Sequence, residues 1–219
     1  MNRDYYKKYY SYEREHWWFK VRSNIIEDKV RTLTNGLNNL NILNIGVATG
    51  KTTEMLSQYG NVLSVEYDKD CCEFLKEELN IEVINGSITE LPFNDNSFDL
   101  VFALDVIEHI EDDQKGINEM HRVCKKNGVV FITVPAFMSL WSEHDEVNQH
   151  YRRYVLSEIK SLFKHFSGLE VYSSYFNSVL FIPIYLIRFL MNIFKKNQKS
   201  VNSNKSDFEV LNNSLLNKI

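Results

Sequence analysis

The chain has 219 residues, of which 44% are hydrophobic and 25% charged, a composition that excludes a wholly disordered chain. This length is typical of one domain with a sizeable core. The 25 basic and 29 acidic residues leave a net charge of −4, which provides no electrostatic reason to expect nucleic-acid binding. Three cysteines are too few for a disulfide framework, and the first residues contain no apolar signal segment. The sequence therefore predicts a cytoplasmic protein.

The first segment of the chain mixes aromatic and charged residues. Residues 5–30 are predicted to form one helix, with Trp17, Trp18 and Phe19 among its apolar anchors. The aromatic side chains are expected either to cover a ligand cleft or to anchor the core. The pair Asn35-Gly36 is a turn signal that ends this segment. Residues 1–36 are therefore expected to form an N-terminal helical extension, ahead of a main domain at residues 37–177.

Short apolar runs and amphipathic stretches alternate through the main domain. Strands are predicted at residues 41–45, 62–67, 81–84, 98–104, 129–134 and 169–176. Helices are predicted at residues 52–59, 71–79, 112–124 and 157–166. Repeated β-α-β units of this kind form a parallel sheet with helices on both faces. The predicted fold is therefore α/β, with a doubly wound, mostly parallel Rossmann-like sheet.

A turn with few side chains lies between the first predicted strand and the helix after it. Gly46, Ala48 and Gly50 leave the backbone bare there, so that a ligand can approach it closely. Glu66 ends the next predicted strand, about 20 residues further on, where a carboxylate can accept hydrogen bonds from both ribose hydroxyls. Together the turn and the acid indicate a nucleoside-binding site.

Three runs of the sequence resemble the class I S-adenosylmethionine-dependent methyltransferases. They are LNIGVATGKT, VEYDKD and GSITELPFNDNSFDLVFALDVIEHI. The segments HWWF and HDEVNQHYRRY are similar to one bacterial branch of this family, which is associated with glycan and lipid-linked saccharide pathways. The resemblance implies S-adenosylmethionine as the cofactor and methyl transfer to a hydroxyl or amine. The acceptor would be a small molecule, a glycan or a lipid-linked saccharide.

The resemblance also implies which residues bind the cofactor. These residues are Asn44, Gly46, Ala48, Gly50, Glu66, Tyr67, Ser87, Ile88 and Asp105. Three of them depart from the family pattern, because Asn44 and Ser87 replace acidic residues and Ala48 replaces a glycine. A cofactor-binding module without catalytic activity, acting as a scaffold, therefore stays open as an alternative.

An NAD-binding enzyme would share the turn and the acid, and it is the second alternative. Such an enzyme uses a Gly-x-Gly-x-x-Gly turn against the pyrophosphate, and the third glycine is absent here because Lys51 and Thr53 occupy the relevant positions. Methyl transfer is therefore the preferred interpretation.

Polar side chains cluster after the fourth and fifth predicted strands, whose carboxyl ends face the ligand in open α/β sheets. The acid–base candidates are His109, His144, Asp145 and His150. The substrate-binding candidates are Trp18, Trp141, Arg152, Arg153 and Tyr154. The alternative for this loop is a network of ion pairs, such as Asp145 with Arg152 or Arg153. The pair His144-Asp145, followed by His150, could supply metal ligands. No third partner lies at a fixed spacing from them, however, so no metal site is predicted.

The last segment, residues 178–219, is predicted to be an apolar helix followed by a polar tail. The apolar run at residues 179–187 is too short for a spanning helix, which needs about 20 residues. Residues 179–199 are expected to contact the inner face of a membrane peripherally, to cap the substrate, or to form a homodimer contact. No final strand follows residues 169–176, so the sheet would be naturally short or be completed otherwise, for example by a partner.

Overall fold

The computed structural model describes residues 3–176, 178, 181–182 and 185–186. These residues belong to two compact units, the first made of residues 3–106 and 114–133 and the second of residues 107–113 and those from 134 onward. No helix in the described part of the chain is long and apolar enough to cross a membrane. Most of the predicted apolar helix and its tail lie outside the described residues. The three-segment division at residues 36 and 177 stays a prediction.

A parallel sheet forms the centre of the first unit. Its strands are β1 (Leu40–Ile45), β2 (Gly60–Glu66), β3 (Ile84–Asn85), β4 (Phe98–Leu104) and β5 (Cys124–Thr133). The spatial order is β3-β2-β1-β4-β5, and every neighbouring pair is parallel. The predicted doubly wound, Rossmann-like sheet is confirmed. The strand order reverses between β1 and β4, and in such sheets ligands bind beyond the carboxyl ends of the strands at this point.

The described residues of both units also form helices. They are α1 (Arg3–Glu15), α2 (Trp17–Thr34), α3 (Lys51–Leu56), α4 (Lys69–Leu79), α5 (Asp113–Val123), α6 (Glu143–Val147) and α7 (Leu156–Leu162). Short 3₁₀ turns occupy Ile107–His109 and Met138–Leu140. Each of the four helices predicted in the main domain is present, with ends displaced by a few residues.

Two apolar clusters position the loop after β1. Helices α2 and α3 pack on β1 and β4 through a cluster of mostly aliphatic residues. Its buried members are Ile26, Val30, Ile42, Met55, Leu56, Leu100 and Phe102. A second cluster joins α1 and α4 to Val47 in the loop itself, through Tyr6, Cys71 and Phe74. The loop is therefore held between two packed layers.

The N-terminal extension is two helices, where the sequence predicts one. The chain breaks at His16, whose backbone is extended (φ −72°, ψ 130°). Its imidazole Nδ1 accepts a hydrogen bond from the backbone N–H of Trp18 at 3.3 Å, which caps α2. This local capping bond competes with a continuous helix, and the apolar spacing of the segment does not reveal it.

The predicted strand at residues 169–176 is wrong. The segment is irregular and joins no sheet, and the Tyr172 side chain is 85% exposed. Aromatic and branched residues favour a strand only where a neighbouring edge can pair with it. The sheet has five strands in the described residues, and none of them lies beyond Thr133.

Strand β5 begins earlier than predicted, at Cys124 instead of residue 129, and its register with β4 shifts between Phe98 and Leu100. The irregularity in pairing absorbs the extra residues, which the apolar pattern of a single segment cannot show.

An ion pair in α5 predicts how stability depends on pH. Glu119 accepts hydrogen bonds from Nε and Nη2 of Arg122, both at 2.7 Å, and from the Leu91 N–H at 2.8 Å. The Arg122 hydrogen bonds lower the pKa of the Glu119 carboxyl from its ordinary value of 4.5. Because the folded-state pKa is depressed, the stabilisation is complete above the unfolded-state pKa and is lost as the pH falls through the folded-state pKa.

Urea unfolding between pH 7 and pH 3 tests this pair. We expect Glu119→Gln to cost about 1.5–3 kcal/mol at pH 7, as for hydrogen bonds to a charged group, and the difference from wild type to shrink on acidification. In an Arg122→Met background the same substitution should show little pH dependence. A difference that grows below pH 4 would contradict the expectation.

Candidate functional site

The loop after β1 contains three residues with positive φ. Gly46, Ala48 and Gly50 have φ values of +75°, +50° and +84°. A Cβ atom on Gly46 would lie closer than 3.0 Å to the Val106 side chain, so glycine is needed there for two separate reasons. We call residues 46–50 the β1 bend. Gly46 and Ala48 are partly exposed and Gly50 is buried, and contact of the bend with a cofactor stays a prediction.

The carboxylate of Glu66 at the end of β2 lies directly against the bend. Its Oε2 accepts hydrogen bonds from the backbone N–H of Val47 at 2.9 Å and of Ala48 at 3.3 Å. Its Oε1 accepts from the Asp68 N–H at 2.9 Å. A carboxylate has about four acceptor positions, so these bonds leave room for one further donor. Accepting both ribose hydroxyls, as predicted, requires the release of one amide, and the longer Ala48 bond is the easier one to release.

Asn44, predicted to contact the cofactor, is buried in a polar network between β1, α3 and β2. Its Nδ2 donates to Thr53 Oγ1 at 2.9 Å, and Thr53 Oγ1 lies 3.1 Å from Ser64 Oγ. The side chain is only 1% exposed. The network fixes the start of α3 behind the bend, and direct cofactor contact by Asn44 stays a prediction.

Three other predicted cofactor-binding residues, Tyr67, Ser87 and Ile88, lie just after β2 and β3. Tyr67 is 77% exposed, while Ile88 is buried. The Ser87 hydroxyl lies 2.8 Å from Thr89 Oγ1 and accepts from the Thr89 N–H at 3.2 Å. Asn85 donates to the backbone oxygens of Glu66 and Tyr67, at 3.0 Å and 2.9 Å. Asn85, which the sequence prediction omitted, therefore ties this region to the Glu66 strand end.

Asp105, at the end of β4, is held by two partners within the first unit. Its Oδ2 accepts from Arg22 Nη2 at 2.7 Å, and its Oδ1 accepts from Thr133 Oγ1 at 2.9 Å. The carboxylate is about half exposed. This cluster connects α2 to the ends of β4 and β5. It places a guanidinium beside the predicted methionine end of the cofactor.

Helix α1 contacts the β1 bend, which sequence reasoning did not predict. The Glu13 carboxyl contacts the hydroxyl of the buried Thr49, and Arg14 Nη2 donates to the Thr49 carbonyl at 3.4 Å. Burial raises the pKa of Glu13. Arg14 also contacts Glu54 and stacks on the Tyr10 ring at 3.5 Å from the centroid. No motif reveals these contacts, because the segment shows only mixed aromatic and charged residues.

A cavity opens beside this contact at the carboxyl end of β4. It is lined by Glu13, Phe19, Arg22, Ser23, Ile26, Lys51, Thr52, Met55 and Leu104. Phe19 is buried and therefore anchors the core while also lining the cavity. Trp17 and Trp18 are half-buried, with their rings 6.1 Å apart, and the substrate-binding role of Trp18 stays a prediction.

In the second unit, Asp145 is a fully buried carboxylate with three kinds of partner. It accepts two bonds from Arg153, at 2.7 Å and 2.9 Å, and the Ser142 N–H at 2.8 Å. His150 Nδ1 lies 2.9 Å from Oδ1. Burial acts to raise the pKa of Asp145, but these hydrogen bonds hold it well below its usual range. The ion-pair alternative is therefore realised for Asp145 and Arg153.

Two further predicted substrate-binding residues anchor residues 150–154 to residues 107–113. Arg152 pairs with Asp113 at 2.8 Å and donates to the Glu111 carbonyl at 2.7 Å. The buried Tyr154 hydroxyl donates to Asp113 at 2.9 Å, and burial raises the pKa of this hydroxyl. These contacts favour structural roles, and substrate binding by Arg152, Arg153 and Tyr154 stays a prediction.

The predicted acid–base histidines are close together within the second unit. The His150 ring lies 4.6 Å from that of His109 and 6.2 Å from that of His144, centroid to centroid. Asn148 Nδ2 lies 3.2 Å from His144 Nδ1. Glu108, another polar residue after β4, is fully buried beside this group. Trp141 is half-buried, and its substrate-binding role stays a prediction.

Comparison with known proteins identifies the central part of the chain. Residues 43–132, which run from β1 into β5 and include the bend and Glu66, match the methyltransferase domain model Methyltransf_11. The HWWF and HDEVNQHYRRY segments lie outside this match, so the predicted bacterial branch stays a prediction.

Two curated relatives are similar to part of this chain. The ubiquinone biosynthesis O-methyltransferase of Pelagibacter ubique is 29% identical over 119 residues, which are 51% of this chain and 49% of that protein. The demethylmenaquinone methyltransferase of Staphylococcus epidermidis is 30% identical over 100 residues, 41% of this chain and 42% of that protein. The chain therefore spans about half the length of these relatives or less.

A solved structure agrees at the level of the fold. The YcgJ protein of Bacillus subtilis superimposes with a TM-score of 0.53 at 24% identity, covering 64% of this chain and 66% of that one. At this identity the likeness supports the Rossmann-like sheet and nothing more specific.

Proposed function

We propose that the protein transfers the methyl group of S-adenosylmethionine to a hydroxyl or amine, because residues 43–132 match the methyltransferase domain model. The acceptor class we propose is a small molecule, a glycan or a lipid-linked saccharide. The Pelagibacter relative is named as an O-methyltransferase, which favours a hydroxyl.

One observation carries the proposal more than any other. The Glu66 carboxylate and the bare backbone of the β1 bend are joined by the Val47 hydrogen bond of 2.9 Å, at the edge of the sheet where the strand order reverses. This place suits a nucleoside, because Gly46, Ala48 and Gly50 have small or no side chains and Glu66 keeps an acceptor position for a sugar hydroxyl. The chemistry of the residues present therefore suits S-adenosylmethionine.

S-adenosylmethionine supplies a methyl group on a sulfonium, which an acceptor displaces directly. The chain's contribution is chiefly alignment, because direct displacement needs little beyond correct positioning. Glu66 would hold the sugar, and Arg22, already beside Asp105 at 2.7 Å, carries a charge suited to the amino-acid carboxylate. A hydroxyl acceptor also needs a base, and His109, His144 and His150 stay the predicted candidates.

Isothermal titration with S-adenosylhomocysteine and S-adenosylmethionine tests the proposal. Wild type is expected to bind both, and Glu66→Gln to weaken binding at least about tenfold, because a hydrogen bond to a charged group contributes about 1.5–3 kcal/mol. The glutamine keeps the shape of the side chain but places an NH₂ group where an acceptor is needed.

The matched control is Glu73→Gln, which removes an exposed carboxylate of α4 away from the bend. It should leave the affinity for S-adenosylhomocysteine within about twofold. The absence of binding to folded wild type, or binding of NAD⁺ instead, would overturn the proposal. Cofactor binding without turnover on any acceptor pool would favour the scaffold alternative.

A further inference from the structure

A glutamate and two histidines converge in the second unit. Glu108 and His109 lie on the 3₁₀ turn after β4, and His150 follows α6; one ligand atom from each lies within 4.8 Å of the others. The two imidazole rings are nearly perpendicular, at 88°. Two histidines and one carboxylate are the donor set of many catalytic zinc and non-haem iron sites.

We propose that Glu108, His109 and His150 bind a divalent transition-metal ion, with Zn²⁺ the best match, and leave one coordination position open for an oxygen ligand. Donor atoms around a tetrahedral Zn²⁺ lie about 3.4 Å apart, given Zn–ligand distances of about 2.1 Å. The ligand atoms of the three residues lie within 4.8 Å of one another, so side-chain shifts of about 1 Å would bring them to the distance that Zn²⁺ requires. His109 is exposed, so its ring has room to make this adjustment.

Asp145 orients His150 for this role. Because His150 Nδ1 is bonded to Asp145 Oδ1 at 2.9 Å, its Nε2 is the nitrogen that can face an ion. Metal-binding histidines commonly donate their second ring nitrogen to a carboxylate in this way, which fixes the tautomer and the ring plane. Arg153 holds both oxygens of Asp145, so the orienting group is itself fixed.

The backbone joins the two segments that supply the ligands. The Tyr151 N–H donates to the Glu108 carbonyl at 2.7 Å, and the Tyr154 hydroxyl donates to the Ile107 carbonyl at 3.3 Å. Glu108 is 0% exposed, and a cation would stabilise the charge of a carboxylate at such a position. The donor set is therefore built on a fixed frame.

No metal site was predicted from the sequence, because His150 was considered there as a ligand only together with His144 and Asp145. The structure instead places Glu108 and His109 against His150, across about 40 residues of chain. None of the three ligands belongs to the proposed cofactor site, but His109 and His150 are also candidates for the base. A histidine bound to a metal ion cannot take the acceptor's proton, so metal binding leaves His144 as the base candidate. An oxygen donor such as a hydroxyl or a carboxylate suits the open position.

Metal titration of the full chain without a histidine tag tests the site. After chelator treatment and desalting, the protein is titrated with Zn²⁺ by calorimetry and with Co²⁺ by visible absorption. We expect one ion per chain and a Co²⁺ spectrum of low coordination number. His109→Ala and Glu108→Gln should each weaken Zn²⁺ binding at least about 100-fold, more than the loss of an orienting group costs.

The control is His165→Ala, which removes another exposed histidine of the same unit and should change the affinity less than threefold. Circular dichroism checks that each variant is folded. If His109→Ala is unfolded, the Zn²⁺ affinity of Glu108→Gln decides whether the site binds the ion. Zn²⁺ binding that survives both ligand variants, or no binding at 100 µM Zn²⁺, overturns the site. A parallel S-adenosylhomocysteine titration keeps that outcome distinct from failure of the proposed function.

Discussion

Replacing Gly46 by alanine is expected to lower the free energy of unfolding by about 2–5 kcal/mol. The left-handed backbone at φ +75° costs a non-glycine residue about 1–2 kcal/mol, and the new Cβ clashes with the Val106 side chain at a further cost of about 1–3 kcal/mol. Urea unfolding followed by circular dichroism measures the loss. We expect the same variant to lose measurable affinity for S-adenosylhomocysteine, because the bend must shift to make room for the alanine Cβ atom.

Gly36→Ala is the matched control for this prediction. Gly36 has nearly the same φ, +76°, but nothing lies within 4 Å of a Cβ built there. It should therefore show the backbone cost alone, about 1–2 kcal/mol. Val106→Ala in the Gly46→Ala background should recover the difference between the two variants. Equal losses for Gly46→Ala and Gly36→Ala would contradict the close packing of the bend.

Asp145→Ala is expected to destabilise the protein by about 3–5 kcal/mol, the cost of removing one partner from a buried ion pair. The substitution leaves the Arg153 side chain, only 9% exposed, without the two carboxylate oxygens that it contacts. It also removes the acceptor for the Ser142 N–H that begins α6. Thermal and urea unfolding of the purified variant measure the effect.

A second substitution separates this structural role from a catalytic one. Combining Asp145→Ala with Arg153→Met removes both charges, and replacing a buried pair with apolar side chains is often neutral. The double variant should regain most of the lost stability. An unchanged unfolding midpoint for Asp145→Ala alone would contradict the structural role and favour the predicted role in catalysis.

The centre of the sheet could be predicted from the sequence because strands β1 and β4 are largely buried. The run at residues 98–104 is apolar except for Asp99, and β4 has the predicted bounds. The segment at residues 169–176 has a similar composition, yet it forms no strand because its fate depends on a partner edge that composition does not encode. The apolar pattern of a segment therefore predicts a strand correctly where the strand is buried. It fails where pairing with a neighbouring strand decides whether the segment forms a strand at all.

The approach of Glu66 to the β1 bend was predictable for a different reason. Gly46 and Glu66 lie at the ends of consecutive strands, so strand spacing alone brings them to one edge of the sheet. The Glu13 contact with Thr49 and the approach of Glu108 to His150 depend on how distant segments pack. No spacing rule anticipates such contacts, because the intervening loops have no regular period.

A crystal structure of the complex with S-adenosylhomocysteine tests the central claim most directly. The account predicts the ribose at the Glu66 carboxylate, with at least one hydroxyl donating to it within 3.2 Å. The amino-acid part should lie along the backbone of residues 46–50, with the Ala48 bond to Glu66 lengthened or lost. A ligand bound elsewhere, or Glu66 still occupied only by the bend's own amides, would contradict it.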